Sequence, residues 1–312
     1  MPRLCALVVL VMVMTLALLA VPIHSIGAQE ATPEATPAPR FTTTVEVEGR
    51  RIGLTCEGNG SPTVVLIGGS RSPADNVWPE TVDALSPLTR VCAFDRAGLG
   101  ASDPQPRSPQ TAADVVADLH AALEAAGEAG PFVPVGFSFG GLVARLYAST
   151  YPDELAGLVL VEGTPVGWNT VDLAIGWFSS EAEREEVRNS ASGRAPMAPS
   201  SPLDQIVSEG QVAAAPAPPR VPTVAIIAGM INLEVPEGGT VEWSDINSIG
   251  TYYELQAGQA RELGARVVVA DQSGHLVPFD QPEVMIAAIE DVVEAVRDPS
   301  SWATPAAGTP TA

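Results

Sequence analysis

A serine stands between two glycines in the segment Gly136-Phe-Ser138-Phe-Gly140. An apolar run typical of a strand, residues 132–135, precedes this segment, and a pattern typical of a helix follows it. A chain that turns sharply from strand to helix needs small residues on both sides of the serine, and the turn exposes its hydroxyl. The pattern therefore predicts Ser138 as a nucleophile and the Phe139 amide, at the helix start, as a donor to an oxyanion. The other interpretation is a glycine-rich turn that only packs a helix on a strand.

A serine hydroxyl is a weak nucleophile and needs a general base, for which histidine is suited because it titrates near neutral pH. Outside residues 1–28 the chain contains only two histidines, His120 and His275. His120 falls within a predicted helix beginning at Thr111, which favours a position at the helix surface or boundary. His275 lies in a loop after the apolar run 266–269. We therefore predict His275 as the base.

The charges of the chain exclude several kinds of function. The sequence has 16 basic and 37 acidic residues, for a formal net charge of −21, and every basic residue is an arginine. A chain this acidic is not expected to bind nucleic acid or an anionic membrane. The absence of lysine excludes Schiff-base chemistry, a Ser–Lys dyad and a P-loop, because each requires a lysine amine.

Strand-like and helix-like segments alternate along the body of the chain, which indicates the α/β class. Two alternating segments form a predicted hairpin, and continuous β-branched runs follow, as expected for a mostly parallel sheet with helices on both faces. The predicted strands are residues 42–48, 51–56, 63–67, 91–94, 132–135, 158–161, 223–227 and 266–269. Helices are predicted from a capping box at Thr111 and Asp114, after Ser138, and from Pro282. Residues 166–220 break the alternation and are interpreted as an inserted cap.

The two ends of the chain differ in composition from the body. Residues 1–28 contain an apolar run after Arg3 and are predicted to be a signal peptide or an uncleaved N-terminal membrane anchor. Residues 29–40 form a Pro/Thr-rich linker, residues 41–299 the folded domain, and residues 300–312 a low-complexity tail. The folded domain is thus expected outside the cytoplasm, secreted or membrane-anchored. In an oxidising compartment Cys56 and Cys92 can pair, or each can be buried separately.

Five segments, in order, resemble landmarks of the α/β-hydrolase superfamily, particularly its serine esterases and lipases. They are VVLIGGSRSPADNVW (64–78), RVCAFDRAGLGASD (90–103), VGFSFGGLVARLYASTYP (135–152), LVLVEG (158–163) and SGHLVPFDQPE (273–283). The resemblance covers most of residues 51–297. It implies a mostly parallel, eight-stranded sheet with an inserted cap, and it places the catalytic base at His275.

The resemblance also assigns the remaining site residues. The family's acid usually is an aspartate after the seventh strand, but this chain has none there and offers Glu234 instead. Some members place the acid after the sixth strand, so Glu162 is the preferred candidate and Glu234 the alternative; Glu162 could also simply bond a neighbouring turn. By position, the Ser70 amide is the second oxyanion donor, although the family's usual His-Gly is Gly-Gly here.

In the family the second strand lies antiparallel beside the fourth, so the resemblance implies that Cys56 faces Cys92 and forms a disulfide. The predicted protein is a serine hydrolase that cleaves a small-molecule ester, thioester or amide through a Ser-His-Glu triad and an acyl-enzyme. No metal or organic cofactor is implied. The serine argues against the haloalkane dehalogenases and epoxide hydrolases of this superfamily, which use aspartate as the nucleophile. Two alternatives are a cofactor-free perhydrolase or haloperoxidase-like enzyme and a non-catalytic binding protein on the same fold.

Overall fold

The computed structural model describes residues 40–302, except for residue 107 and the segments 169–202 and 231–242. The predicted signal or anchor, almost all of the linker and most of the tail and cap therefore lie outside the described residues. Within the described part of the chain, no helix is both long enough and apolar enough to cross a membrane.

A central sheet of eight strands is formed by the described residues. The strands are β1 (Thr44–Val47), β2 (Arg50–Glu57), β3 (Thr63–Ile67), β4 (Val91–Asp95), β5 (Phe132–Phe137), β6 (Leu158–Val161), β7 (Thr223–Ala228) and β8 (Arg266–Ala270). Their order across the sheet is β1-β2-β4-β3-β5-β6-β7-β8. Strand β2 is antiparallel to β1 and β4, and the other neighbouring pairs are parallel. This arrangement confirms the predicted fold class.

The helices of the described residues cover both faces of this sheet. They are α1 (Ala74–Val77), α2 (Pro79–Leu85), α3 (Ala112–Ala125), α4 (Phe139–Thr150), α5 (Gln205–Ala214), α6 (Trp243–Leu263), α7 (Val277–Asp280) and α8 (Pro282–Arg297). The capping box opens α3 as predicted: the Thr111 side chain accepts a hydrogen bond from the Asp114 amide, and the Asp114 carboxylate accepts one from the Thr111 amide. Aspartate can thus replace the usual glutamate at this position.

Among the residues that the structure describes, two apolar clusters, one on each face of the sheet, form the core. Residues of α3 and α4, such as Leu119 and Leu142, pack on one face. On the other face, residues of α2 and α8, such as Val82 and Ile289, pack against the sheet. Burial on both faces explains the continuous β-branched runs of the inner strands. The edge strand β8 differs from this expectation, since Val267 and Val269 are 47% and 57% exposed.

Helix α5 lies in the part of the predicted cap that the structure describes. Leu203 pairs with Gln110, and the Ala112 amide donates a hydrogen bond of 2.9 Å to the Ser208 hydroxyl. These contacts attach α5 to the first turn of α3. Because residues 169–202 lie outside the described residues, the cap stays a prediction.

The cysteine pair joins the two antiparallel strands β2 and β4. Cys56 lies directly opposite Cys92 in the strand register, and their sulfurs form a disulfide bond. The pairing implied by the resemblance is therefore present.

Candidate active site

The turn between β5 and α4 holds Ser138 in a strained backbone conformation. Its φ angle is +54°, in a region that side-chain-bearing residues rarely adopt. The flanking glycines are required by close packing: a Cβ atom on Gly136 would lie 2.3 Å from the Gly140 carbonyl oxygen, and one on Gly140 would lie 2.3 Å from the Ile67 carbonyl oxygen. The glycine-serine-glycine pattern therefore follows from the close approach of the strand, helix and neighbouring loop.

The imidazole of His275 contacts the Ser138 hydroxyl. His275 lies in the loop between β8 and α7, and its Nε2 atom is 3.0 Å from Ser138 Oγ. The ring packs near the ring of Phe137, with centroids 5.3 Å apart, and its side chain is 48% exposed. This geometry permits proton transfer between oxygen and nitrogen while leaving one side of the ring open to solvent.

Glu162 contacts the other nitrogen of the same imidazole. It follows β6 and is only 2% exposed, and its Oε2 atom lies 3.3 Å from His275 Nδ1. The Ala228 amide donates to Oε1 at 2.7 Å, and the Tyr252 hydroxyl donates to Oε2 at 2.7 Å. These donors offset the cost of burying a carboxylate. Desolvation by burial raises the pKa of Tyr252 well above its ordinary value, so its hydroxyl stays a donor.

The alternative acid, Glu234, lies outside the described residues. The preceding strand nevertheless contributes to the site, because Ala228 ends β7 and its amide bonds Glu162. In the family the aspartate usually follows this strand. In this chain the strand instead supplies a backbone donor to Glu162, which follows β6.

The two predicted oxyanion donors lie on segments next to Ser138. Phe139 is the first residue of α4. On the other side, a Cβ atom on Gly69 would lie 3.2 Å from Ser138 Cβ, so the loop after β3 runs against the serine. In that loop Ser70 accepts hydrogen bonds on its carbonyl oxygen from Arg96 at 2.8 Å and on its hydroxyl from Gln205 at 3.3 Å. The role of both amides as oxyanion donors stays a prediction.

The residues at the end of β4 and directly after it support the loops around the site. Asp95 accepts hydrogen bonds from the amides of Ala74 at 2.7 Å and Ala101 at 3.0 Å. A Cβ atom on Gly100 would collide with the Asp95 carboxylate. Arg96 is buried, and desolvation lowers its pKa to about 10. Both side chains thus fix the backbone in place.

His120 makes a different set of contacts. Its Nε2 atom lies 3.1 Å from Glu154 Oε1, and its ring stacks on Tyr151 with centroids 3.8 Å apart. These contacts fit the predicted boundary position in α3. Within the described ranges, the group of side chains spaced to hold a metal ion is Cys56, Cys92 and Glu128, and its two sulfurs are joined in the disulfide.

Comparisons with known proteins agree on the family. A family model described as the alpha/beta hydrolase fold matches residues 62–215. An AB hydrolase superfamily protein from Gibberella zeae is 26% identical over 269 residues, which cover 70% of this chain and 83% of that protein. This chain belongs to the α/β-hydrolase superfamily.

Solved structures share the fold of this α/β hydrolase at low sequence identity. A thermophilic esterase from Thermogutta terrifontis has a TM-score of 0.55 and 22% identity, covering 81% of this chain and 98% of the esterase. A meta-cleavage product hydrolase from Pseudomonas fluorescens has a TM-score of 0.55 and 19% identity, covering 83% and 98% of the two chains. Two further curated relatives, 32% and 39% identical over short segments, are matched over 15% of their own length.

In this α/β hydrolase, residues of α6 that were not predicted from the sequence hold Glu162 in place. Tyr252 donates to the carboxylate, and Gln256 donates to the tyrosine oxygen at 2.7 Å. Helix α6 was not predicted, because polar residues such as Gln256 and Gln259 take buried positions on its inner face. The spacing of Tyr252, Gln256 and Gln259 at four and three residues is a signal of one helical face.

Proposed function

We propose that this protein is an extracytoplasmic serine hydrolase that cleaves a carboxylic ester, thioester or amide. The observation that carries the proposal is the pair of contacts made by one imidazole: Nε2 lies 3.0 Å from Ser138 Oγ, and Nδ1 lies 3.3 Å from the buried Glu162. A nucleophile, a base and an acid that orients the base are the components of acyl-transfer catalysis by serine.

The proposed reaction proceeds through two transfers of the acyl group. Ser138 Oγ forms a bond to the carbonyl carbon while its proton moves to His275 Nε2. The amides of Phe139 and Ser70 stabilise the tetrahedral oxygen. His275 then returns the proton to the departing alcohol, thiol or amine as its bond to carbon breaks. A water molecule, deprotonated by His275, attacks the acyl-enzyme, and the acid product leaves as Ser138 regains its proton.

Glu162 has an electrostatic part in this scheme. The imidazole gains a positive charge each time it accepts a proton, and a carboxylate held against Nδ1 stabilises that charge. Its burial strengthens the interaction, because the surrounding dielectric is low. Because the Glu162 carboxylate is an acceptor placed against Nδ1, it also favours the imidazole tautomer that carries its proton on Nδ1. Nε2 is then free to act as a base.

Exposed apolar side chains near His275 favour an apolar substrate, and the disulfide favours an extracytoplasmic location. Leu276 follows His275 directly and Phe279 lies four residues after it, and each is 50% exposed. Met230, whose amide donates to the Ser273 carbonyl, is 49% exposed. Such side chains suit an apolar acyl or leaving group. The similarity to a solved esterase favours an ester among the three bond types. The disulfide is compatible with an oxidising compartment outside the cytoplasm.

Covalent labelling tests the proposal directly. A fluorophosphonate is expected to label the wild-type protein, and Ser138→Ala is expected to abolish the label while the far-ultraviolet circular dichroism stays unchanged. Equal labelling of both proteins would refute the nucleophile. Hydrolysis of a series of p-nitrophenyl esters then measures the acyl preference, and adding hydrogen peroxide to that assay detects a perhydrolase. Absence of both labelling and turnover would favour a binding protein.

A further inference from the structure

Buried polar side chains form a chain of hydrogen bonds that leads from Glu162 to Arg145. The Tyr252 hydroxyl donates to Glu162 Oε2 at 2.7 Å, and Gln256 Nε2 donates to the Tyr252 oxygen at 2.7 Å. Gln259 Nε2 donates to Gln256 Oε1 at 3.2 Å. Arg145 Nη1 donates to Gln259 Oε1 at 2.8 Å. We call these four residues, Arg145, Gln259, Gln256 and Tyr252, the relay.

The direction of the donors in the relay is determined at its arginine end. A guanidinium has donors but no acceptor, so Gln259 must turn its amide oxygen toward Arg145. Its amide nitrogen then faces Gln256, which in turn directs its own nitrogen to the Tyr252 oxygen. Because that oxygen accepts a hydrogen bond from Gln256, the tyrosine proton points to Glu162. A second acceptor, the Gly163 carbonyl at 3.3 Å from Gln259 Nε2, holds the same orientation.

Burial makes these orientations costly to reverse. Gln256 is 1% exposed, and Gln259 and Arg145 are each 4% exposed. A reversed amide would place two donors or two acceptors in contact in a site with little access to water. Arg145 also donates from Nη2 to Glu262 Oε2 at 3.0 Å, which gives the buried cation a partner at the protein surface. The relay therefore has one stable direction.

We propose that the relay is a positioning device for the acid of the site, with Arg145 setting the direction and Tyr252 delivering the donor. Tyr252 binds the same carboxylate oxygen, Oε2, that lies 3.3 Å from His275 Nδ1. Together with the Ala228 amide on Oε1, it prevents rotation of the carboxylate away from the imidazole. This inference depends on the proposed serine hydrolase activity. Tyr252 acts only through Glu162 and does not contact Ser138.

The principal test is Tyr252→Phe, with Tyr253→Phe as the matched control. Tyr253 is the neighbouring residue on α6, and its hydroxyl donates to a backbone carbonyl, that of Ala228, at 3.0 Å. Loss of a hydrogen bond to a charged group is expected to lower kcat and the fluorophosphonate labelling rate by about tenfold in Tyr252→Phe. KM is expected to stay within about twofold, since Tyr252 acts through Glu162 on the chemical step. The control is expected to keep both rates within about twofold of wild type.

A double-variant cycle separates positioning from a general loss of structure. If Tyr252 acts through the carboxylate, adding Tyr252→Phe to Glu162→Gln lowers the labelling rate no further. An equal tenfold loss in both backgrounds would overturn the inference. So would a Tyr252→Phe variant as active as the control while Ser138→Ala still abolishes labelling. Labelling that survives Ser138→Ala would instead refute the proposed function itself.

The arginine end of the relay has its own test. Lysine also has donors only, so Arg145→Lys is expected to keep most of the activity, whereas Arg145→Gln can reverse the amides and is expected to lower kcat about as much as Tyr252→Phe. Thermal unfolding of both variants is measured alongside. Equal kcat for two equally stable variants would show that Arg145 does not set the direction. If either variant fails to fold, the Tyr252 cycle still decides whether the relay positions the acid.

Discussion

Two residues at the ends of neighbouring parallel strands have positive φ angles, +54° for Ser138 and +45° for Glu162. Neither is a glycine, and such backbone conformations persist only where the surrounding contacts impose them. The Ser138 amide donates to the Val161 carbonyl, and the Glu162 amide donates to the Ile226 carbonyl. Each strained residue is thus anchored to the next strand of the sheet. This anchoring brings a hydroxyl and a carboxylate to the two sides of one imidazole.

Replacing the acid by its amide tests this geometry at the scale of one residue. Glu162→Gln keeps the size of the side chain but removes its charge, so the imidazole loses both its preferred tautomer and the stabilisation of its cation. By analogy with other serine triads, we expect kcat to fall by about 10³- to 10⁴-fold with KM little changed. Steady-state kinetics on a p-nitrophenyl ester measures both parameters.

Glu234→Gln is the matched control for that substitution, because it removes one glutamate charge at the rival position. We expect its kcat to stay within about twofold of wild type. A large loss in Glu234→Gln with normal turnover in Glu162→Gln would transfer the acid role to the segment after β7.

At the scale of elements, the turn between β5 and α4 depends on backbone packing that no side chain can enter. A Cβ atom on Gly140 would lie 2.3 Å from the Ile67 carbonyl oxygen and 2.8 Å from that of Gly68. Both oxygens belong to backbone, which cannot move aside as the end of a flexible side chain could. We expect Gly140→Ala to lower the free energy of unfolding by about 3 kcal/mol and to abolish labelling. Urea unfolding followed by fluorescence measures the first effect.

Gly210→Ala is the control for a glycine in a helix. Gly210 lies in α5, is exposed, and a Cβ atom there meets nothing within 4 Å. Alanine is a better helix former, so this variant is expected to gain about 0.5–1 kcal/mol in the free energy of unfolding and to keep wild-type labelling. A Gly140→Ala protein as stable and as reactive as Gly210→Ala would contradict the packing argument.

The elements differ in how far the sequence predicted them. The inner strands were predicted within two residues, since burial on both faces leaves a continuous β-branched run such as Leu158–Val161. Helix α6 was not predicted, because Gln256 and Gln259 take buried positions where an amphipathic helix has apolar residues. Tyr252 and Gln256 were missed for the same reason. Gln256 donates to Tyr252 and Tyr252 donates to Glu162, and the second of these contacts joins segments that are distant in the sequence.

At the scale of the whole molecule, the parallel direction of the strands brings the candidate site to the carboxyl end of the sheet. Ser138, Glu162 and the loop of His275 follow the carboxyl ends of β5, β6 and β8, which run parallel to one another. The disulfide lies toward the amino end of the parallel strands, since Cys92 is the second residue of β4, which is parallel to the same strands. The disulfide and the candidate site therefore lie toward opposite ends of the parallel strands.

This separation predicts that loss of the disulfide affects stability without affecting the chemistry. The bond joins residues 36 positions apart, and closing a loop of that length in the unfolded chain is expected to contribute about 4 kcal/mol to the free energy of unfolding. Urea unfolding with and without dithiothreitol measures this difference, and a Cys56→Ala/Cys92→Ala variant, unaffected by the reductant, is the control. Under native conditions the fluorophosphonate labelling rate of the folded fraction should stay within about twofold of wild type. A labelling rate that falls in parallel with stability would show instead that the two ends of the sheet are coupled.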